Sequence, residues 1–321
     1  MAKSRVAQLS DQLCQRFPPG RQYLAGVSGG RDSVILLHLL HASGYRNLVV
    51  CHLDHQLRGR ASQADARFVQ AMATKLGFDH EIGSIDVRAL AARSKLSIET
   101  AARAARFAFF VDVARRRRCR TIFLGHHADD LVETALLNLF RGASPGGLAS
   151  MRTVSSHQIG KTELTIVRPL LGVWRREIDA YVKQHNLKFR EDATNAKLDS
   201  MRNRVRHRIL PEIEKQLGRD VRKAIWRATQ IWMEEEALLE SLADKNSAST
   251  RELNVLDLRK RSVALQRRII RRWLINQRVS NSGFELVEKI RALLDPQYKA
   301  AKVNLPQARY VRRRAKKIFM E

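Results

Sequence analysis

The sequence predicts an α/β domain, a parallel sheet covered on both faces by helices, followed by a smaller, mainly helical domain with a terminal hairpin. Three observations predict it. Short apolar runs alternate with amphipathic helical stretches through the first two thirds of the chain. Beyond residue 217 the pattern becomes helical. The length, 321 residues, suits two domains that each bury a core, and we place them at 1–217 and 218–321.

The elements follow in order. QYLAGV (22–27) reads as a buried strand ending in a Gly turn, and a helix runs from Asp32 to Leu40. LVVCHLD (48–54) is a second strand, and residues 63–77 form an amphipathic helix closed by Gly77. HEIGSI (80–85) is a third strand, and residues 98–118 form a long helix with apolar residues at helical spacing. TIFLGHH (121–127) is a fourth strand, DDLVETALLNLF (129–140) a helix, and ELTIVRPL (163–170) a fifth strand before a helix from Trp174 to Gln184. Pro211 marks a helix stop. Helices over 220–245, 262–277 and 284–294 precede a tail that alternates like a hairpin.

Lys and Arg number 59 against 32 Asp and Glu, a net charge of +27. Residues 1–217 hold 35 basic and 20 acidic groups (net +15), and residues 218–321 hold 24 and 12 (net +12), a higher density in the shorter part. So large an excess points to a polyanionic partner, nucleic acid first. A membrane surface fits less well, because no Lys-rich amphipathic terminal helix is evident. The longest apolar run, SVILLHLLHAS (33–43), is too short to span a bilayer, and the N-terminus lacks a leader's apolar stretch. Cys14, Cys51 and Cys119 are far apart and form neither a CxxC knuckle nor a disulfide framework, so a reducing, cytoplasmic setting is expected. The oligomeric state stays open, a homodimer included.

Chemistry concentrates in a few segments. AGVSGGRDSV (25–34) sets two glycines and two serines between a buried strand and a helix. Backbone N–H groups there point at an anion, hydroxyls of Ser28 and Ser33 add donors, and Asp32 can hold Mg²⁺ against phosphate oxygens. The loop lacks the Lys of GxxxxGK[ST] and the spacing of GxGxxG. A turn used only for packing is the plain alternative. GHHADDLVET (125–134) follows a strand, at the carboxyl edge where open α/β sheets bind ligands. If helical, it places His126, Asp130 and Glu133 on one face, suited to a cationic amine or a metal. An Asp129 helix cap and solvated first-turn acids are the alternatives. CHLDHQLRGR (51–60), RGASPGGLASM (141–151) and EDATNAKLDSMRNRVRH (191–207) are further candidates.

SGGRDS (28–33) resembles the pyrophosphate loop of the ATP-pyrophosphatase (PP-loop) superfamily, whose fold is a Rossmann-like sheet. With HLDHQLR, ETAARAARFAFF, GHHADDLVET, RGASPGGLASM, RPLL (168–171), EDATN…RNRVRH and LQRRIIRRWL (265–274), the chain resembles the tRNA(Ile)-lysidine synthetase family along essentially its whole length. The resemblance implies that ATP adenylates the C2 carbonyl of the wobble cytidine of the CAU-anticodon isoleucine tRNA, and that the ε-amine of free L-lysine displaces AMP. It implies ATP and Mg²⁺ at Ser28, Gly29, Gly30, Arg31, Asp32 and Ser33, with Asp32 the metal ligand. His126, Asp130 and Glu133 would form the lysine and cytidine pocket and, with Asp32, the catalytic set. Arg103, Arg106, Arg141, Arg202 and Arg206 would contact phosphates or the tRNA backbone. Two departures stand out: Ala149 replaces a glycine common in the family, and the sequence ends after the expected hairpin where longer members carry a further C-terminal domain, so either a shorter architecture or a truncated chain is expected. The rival readings are a PP-loop tRNA thiolase and a non-catalytic RNA-binding protein.

Overall fold

The computed structural model describes residues 5–149, 151–191, 200–244, 251–279, 282–298, 302–306 and 308–321. The chain packs as two compact units, residues 1–141 with 150–227, and residues 142–149 with 228–321.

In the first unit, α1 (Arg5–Arg16) leads to β1 (Tyr23–Gly26), α2 (Arg31–Ala42), β2 (Leu48–Asp54), α3 (Arg60–Lys75), β3 (Asp79–Ser84), α4 (Val87–Ser94), α5 (Ile98–Arg116), β4 (Thr121–Leu124) and α6 (Ala128–Phe140). The one-turn helix α7 (Pro145–Leu148) belongs to the second unit. Then come β5 (Val154–Ile159), β6 (Thr162–Val167), a 3₁₀ turn (Pro169–Gly172), α8 (Arg175–Gln184), α9 (Met201–Arg204), a π turn (Val205–Ile209), α10 (Leu210–Leu217) and α11 (Val221–Asp244), which continues into the second unit.

The sheet order is β3-β2-β1-β4-β6-β5. Every pairing is parallel except β5 with β6. Strand alternation sorts its apolar side chains onto two faces. Tyr23, Ala25, Leu48, Val50, Phe123 and Val167 join α1, α2, α3 and α8 in one core. Leu24, Val49, Cys51, Ile122, Leu124, Leu164 and Ile166 join Phe110, Val113 and Ala114 of α5 in the other.

Besides α1 and α4, which the sequence reading did not name, two details depart from it. No strand is expected at 154–159, yet β5 forms an antiparallel edge joined to β6 by a turn at Gly160, where φ is +59°. Its exposed Ser156 and Gln158 are the polar face an edge strand turns to water, and they hide it from an apolar-run search. Pro211 does not stop a helix. It lies at the start of α10, after the widened π turn, so helical backbone continues from Met201 to Leu217.

In the second unit, β7 (Glu252–Asn254), α12 (Val255–Arg259), α13 (Val263–Asn276) and α14 (Phe284–Ala292) precede β8 (Lys302–Asn304), β9 (Tyr310–Arg314) and β10 (Lys317–Met320). The expected hairpin, β9 with β10, is extended on both sides into an antiparallel sheet of order β7-β10-β9-β8. Ile269, Ile270, Trp273 and Leu274 of α13 pack with Val287 and Ile290 of α14 and with Val311 and Ile318 of this sheet. The loop Gly142–Ala149 meets Glu236, which is buried beside Arg268 at 2.5 Å.

Candidate functional site

The carboxyl ends of β1, β2 and β4 open onto a cleft of about 710 Å³. Ser28, Asp32 and Ser33 line it from the turn between β1 and α2, His52, Asp54 and His55 from the end of β2, and Gly125, His126 and Asp130 from the end of β4. The turn is tightly built. Ser33 Oγ accepts from the Ser28 amide at 3.2 Å and donates to the Gly30 carbonyl at 2.8 Å, and the Gly30 amide donates to Ser28 Oγ at 3.3 Å. Gly29 has φ +86°, a left-handed conformation that costs an L side chain about 1 kcal/mol. Gly125 passes so near the first turn of α2 that a Cβ there would sit 2.8 Å from the Asp32 carbonyl oxygen. The N-terminus of α2, with its free N–H groups, therefore faces the cleft.

Helix α6 begins at Ala128, with His127 at its cap position and Asp130 accepting from the His127 amide at 3.1 Å. His126 therefore precedes the helix, and the cap is His127, not Asp129. Only Asp130 and Glu133 share the helical face expected for all three. His126 and Asp130 line the first cleft, whereas Glu133 lines a second, of about 920 Å³, with His127, Asp129, Trp174, Arg175 and Arg206. The His127–Glu133 segment is the wall between them.

Charges on this wall are paired with care. His127 lies 3.4 Å from Asp129, 3.5 Å from Asp130 and 3.8 Å from Asp32. Burial works against its protonation, but Asp129, Asp130 and Asp32 outweigh it and raise its pKa. His126 goes the other way. Burial, reinforced by Arg168, Arg106 and Arg202, holds it well below its ordinary value against the pull of Asp130, so its imidazole is neutral at physiological pH. Glu133, 1% exposed, takes both prongs of Arg206 at 2.6 and 2.8 Å and lies 3.5 Å from Arg202. Burial opposes the charge on Arg206, yet Glu133 and Asp130 keep it firmly protonated.

A second group of cations has no acidic partner among the described residues. Burial and neighbouring Arg103 and Arg202 lower Arg106 to about 10, and burial beside Arg103 lowers Arg168 to about 10. Both remain charged at neutral pH. The Nε atoms of Arg106 and Arg168 and the Nδ1 atoms of His126 and His55 are buried without a hydrogen-bond partner among the described residues. Buried polar atoms are costly to leave unmet, and of these residues Arg106, His126 and His55 line the cleft, where an anion would satisfy the Arg106 donor.

The family model described as PP-loop domain matches residues 2–213, two thirds of the chain, and that described as TilS substrate binding domain matches residues 253–319. The chain belongs to the tRNA(Ile)-lysidine synthase family. It is 36% identical to the tRNA(Ile)-lysidine synthase of Geobacter sulfurreducens, over 91% of this chain and 63% of that one. It is 34% identical to that of Chlorobaculum tepidum, over 87% and 84% respectively. The chain spans 53% and 47% of the family members from Bacillus licheniformis and Bacillus subtilis. Among solved structures, the U34-tRNA thiolase NcsA of Methanococcus maripaludis shares the fold, with TM-score 0.55, 18% identity and coverage of 71% of this chain and 78% of that one.

Against this family background, the other residues singled out by sequence fall as follows. Arg31 pairs with Asp179, approaches Glu191 at 3.5 Å and covers the Phe189 ring, so its guanidinium is engaged on α8. Arg103 stacks on Phe107. Arg202 donates to Thr134 Oγ1 at 2.5 Å, and Arg141 is exposed at the end of α6. The Asp-Ala-Thr-Asn turn (192–195) lies outside the described residues.

Three functional candidates escaped the sequence reading: His127, Arg175 and Arg168. Arg175 donates to Asp32 at 2.7 Å and, through its amide, to Asp129 at 2.9 Å. The doubled histidine of GHHADD and the RPLL block are the signals that could have found His127 and Arg168, whereas Arg175 sits 143 positions from Asp32.

Proposed function

We propose that this chain is an ATP-dependent tRNA-modifying enzyme that converts the wobble cytidine of the CAU-anticodon isoleucine tRNA to lysidine. The observation that carries it is the first cleft, which joins the Ser28–Ser33 turn to Asp32, His126, Asp130 and Arg106, which has no acidic partner among the described residues. ATP lies with its phosphates against the turn and the start of α2, held by the Ser28 and Ser33 hydroxyls and by Arg106. Asp32 fits Mg²⁺, which typically uses one or two carboxylates with the substrate's phosphates. Among the described residues no three His, Cys, Asp or Glu side chains form a self-sufficient metal cage. Bound there, the ion would screen charge on the phosphates.

The cytidine O2 attacks the α-phosphorus and pyrophosphate leaves. The lysine ε-amine then attacks C2, and AMP departs with the former carbonyl oxygen. The amine must first lose a proton. The Asp130 carboxylate can orient the ammonium and take up the proton, whereas His126, whose protonation burial and the nearby arginines oppose, offers only a hydrogen bond. Residues 1–217 carry this chemistry in the proposal, and residues 218–321, net +12, bind tRNA, which calls for a cytoplasmic enzyme. Among the described residues no helix is long and apolar enough to cross a membrane.

The thiolase reading fits less well. Burial pushes the Cys51 thiol up to about 12 and raises Cys119 too, opposite to what a nucleophilic thiolate needs. Incubation with ATP, labelled lysine and a panel of tRNAs tests the assignment. Label confined to the CAU isoleucine tRNA is expected, and Asp32→Ala should abolish transfer while leaving tRNA binding nearly intact. Active protein that incorporates no lysine, or an Asp32→Ala variant that works at the normal rate, refutes it.

A further inference from the structure

A groove of about 740 Å³ lies at the opposite edge of the sheet, where β4 and β6 begin. Its floor is Val111, Ala114 and Ile159, and its rim is Arg115, Arg118, Arg120 and Lys161, with no acidic residue in the lining. All four cations are exposed, and among the described residues none of their side chains has an ion-pair or hydrogen-bond partner. Their neighbours differ: Arg116 pairs with Glu81 and Asp112, and Arg117 with Glu81 and Asp79. This chain has acids to spend next door and places none in the groove.

The amide of Arg118 bonds the Arg115 carbonyl and that of Cys119 bonds the Ala114 carbonyl, the pattern that ends a helix with a left-handed residue. Glycine is the usual occupant, but here φ is +51° on an arginine. Lys95, Asn186 and Arg278 end their helices in the same way, so this conformation is common in the chain, and what Arg118 brings to the groove is its exposed guanidinium.

We propose that this groove is a second RNA contact, separate from the cleft, that takes a run of phosphodiester backbone without reading sequence. Charge complementarity selects the occupant: three guanidiniums and an ammonium around an apolar floor suit phosphate oxygens. Binding needs neither ATP nor lysine, so its test is independent of the lysidine reaction.

The experiment measures tRNA-transcript affinity against KCl concentration for the wild type, the single variant Arg118→Gly, and Arg115→Ala/Arg118→Gly/Arg120→Ala. With each phosphate contact contributing about 0.7–0.9 to the log–log slope, the triple variant should lose about 2 to 3 from it. It should bind at least about tenfold more weakly at low salt, equally for isoleucine and unrelated tRNAs. Arg118→Gly should weaken binding about two- to fivefold while raising the thermal midpoint, which a purely structural arginine would not do. In the wild type, bound tRNA should shield Lys161 from acetylation, a readout that needs no variant to fold. Unchanged slope and affinity, a loss confined to the isoleucine tRNA, or an unshielded Lys161 overturns the proposal.

Discussion

Arg206→Met is the most informative perturbation of the wall between the clefts. The side chain keeps its approximate length and loses its charge, leaving Glu133 buried with only Arg202, 3.5 Å away, to compensate. Removing one partner of a buried ion pair costs about 3–5 kcal/mol. Arg202 remains and Arg206 is itself partly exposed, so we take the lower end, about 3 kcal/mol. At about 2–4 °C per kcal/mol for a unit of this size, the midpoint falls by about 6–12 °C. The deficit should depend on pH. Burial already raises the Glu133 pKa against the pull of Arg206, and without that guanidinium it rises further, so the folded state holds the extra proton over a wider window and stability falls as pH rises through it. Thermal unfolding followed by circular dichroism at pH 5.5 and pH 8.5 reads both effects, with the larger loss at pH 8.5. A shift below about 2 °C, or the same shift at both pH values, would show that Glu133 does not depend on Arg206 for its charge.

Other outcomes follow from the same geometry. His127, with its raised pKa, stabilises the fold fully below about pH 6.5 and progressively less as pH rises through its folded-state value. Urea midpoints between pH 6.5 and 8.5 should decline in the wild type more steeply than in His127→Asn, and parallel declines would contradict the pairing with Asp32, Asp129 and Asp130. Gly125→Ala forces a methyl against the Asp32 carbonyl and should reduce ATP–pyrophosphate exchange at least about tenfold with tRNA affinity unchanged; normal exchange would place the nucleotide elsewhere. Gly29→Ala should cost about 1 kcal/mol in denaturant unfolding and weaken nucleotide binding, because φ +86° suits only glycine without strain. An unaltered unfolding midpoint would mean that the turn relaxes freely.

The parallel sheet was legible because both faces are buried. Runs such as LVVC in β2 feed two cores at once, and such runs stand out from polar loops. The β5 edge was not, since one of its faces meets water and its composition resembles a loop. The Ser28–Ser33 turn was legible because its conformation needs glycines and serines close together in sequence. The wall was legible only on its α6 side. Arg206 meets Glu133 across 73 positions, and Arg175 reaches Asp32 across 143, pairings that no local period encodes. The π turn left no compositional trace either, and Pro211 read as a break because helix rules assume the i→i−4 ladder.

The excursion of Gly142–Ala149 into the second unit means that the polypeptide passes between the units three times: after residues 141, 149 and 227. No single peptide-bond cleavage can therefore release either unit whole. A chimera that exchanges the second unit between relatives must also carry eight residues from the middle of the first, or leave Leu148 and Ala149, buried here, without their native neighbours.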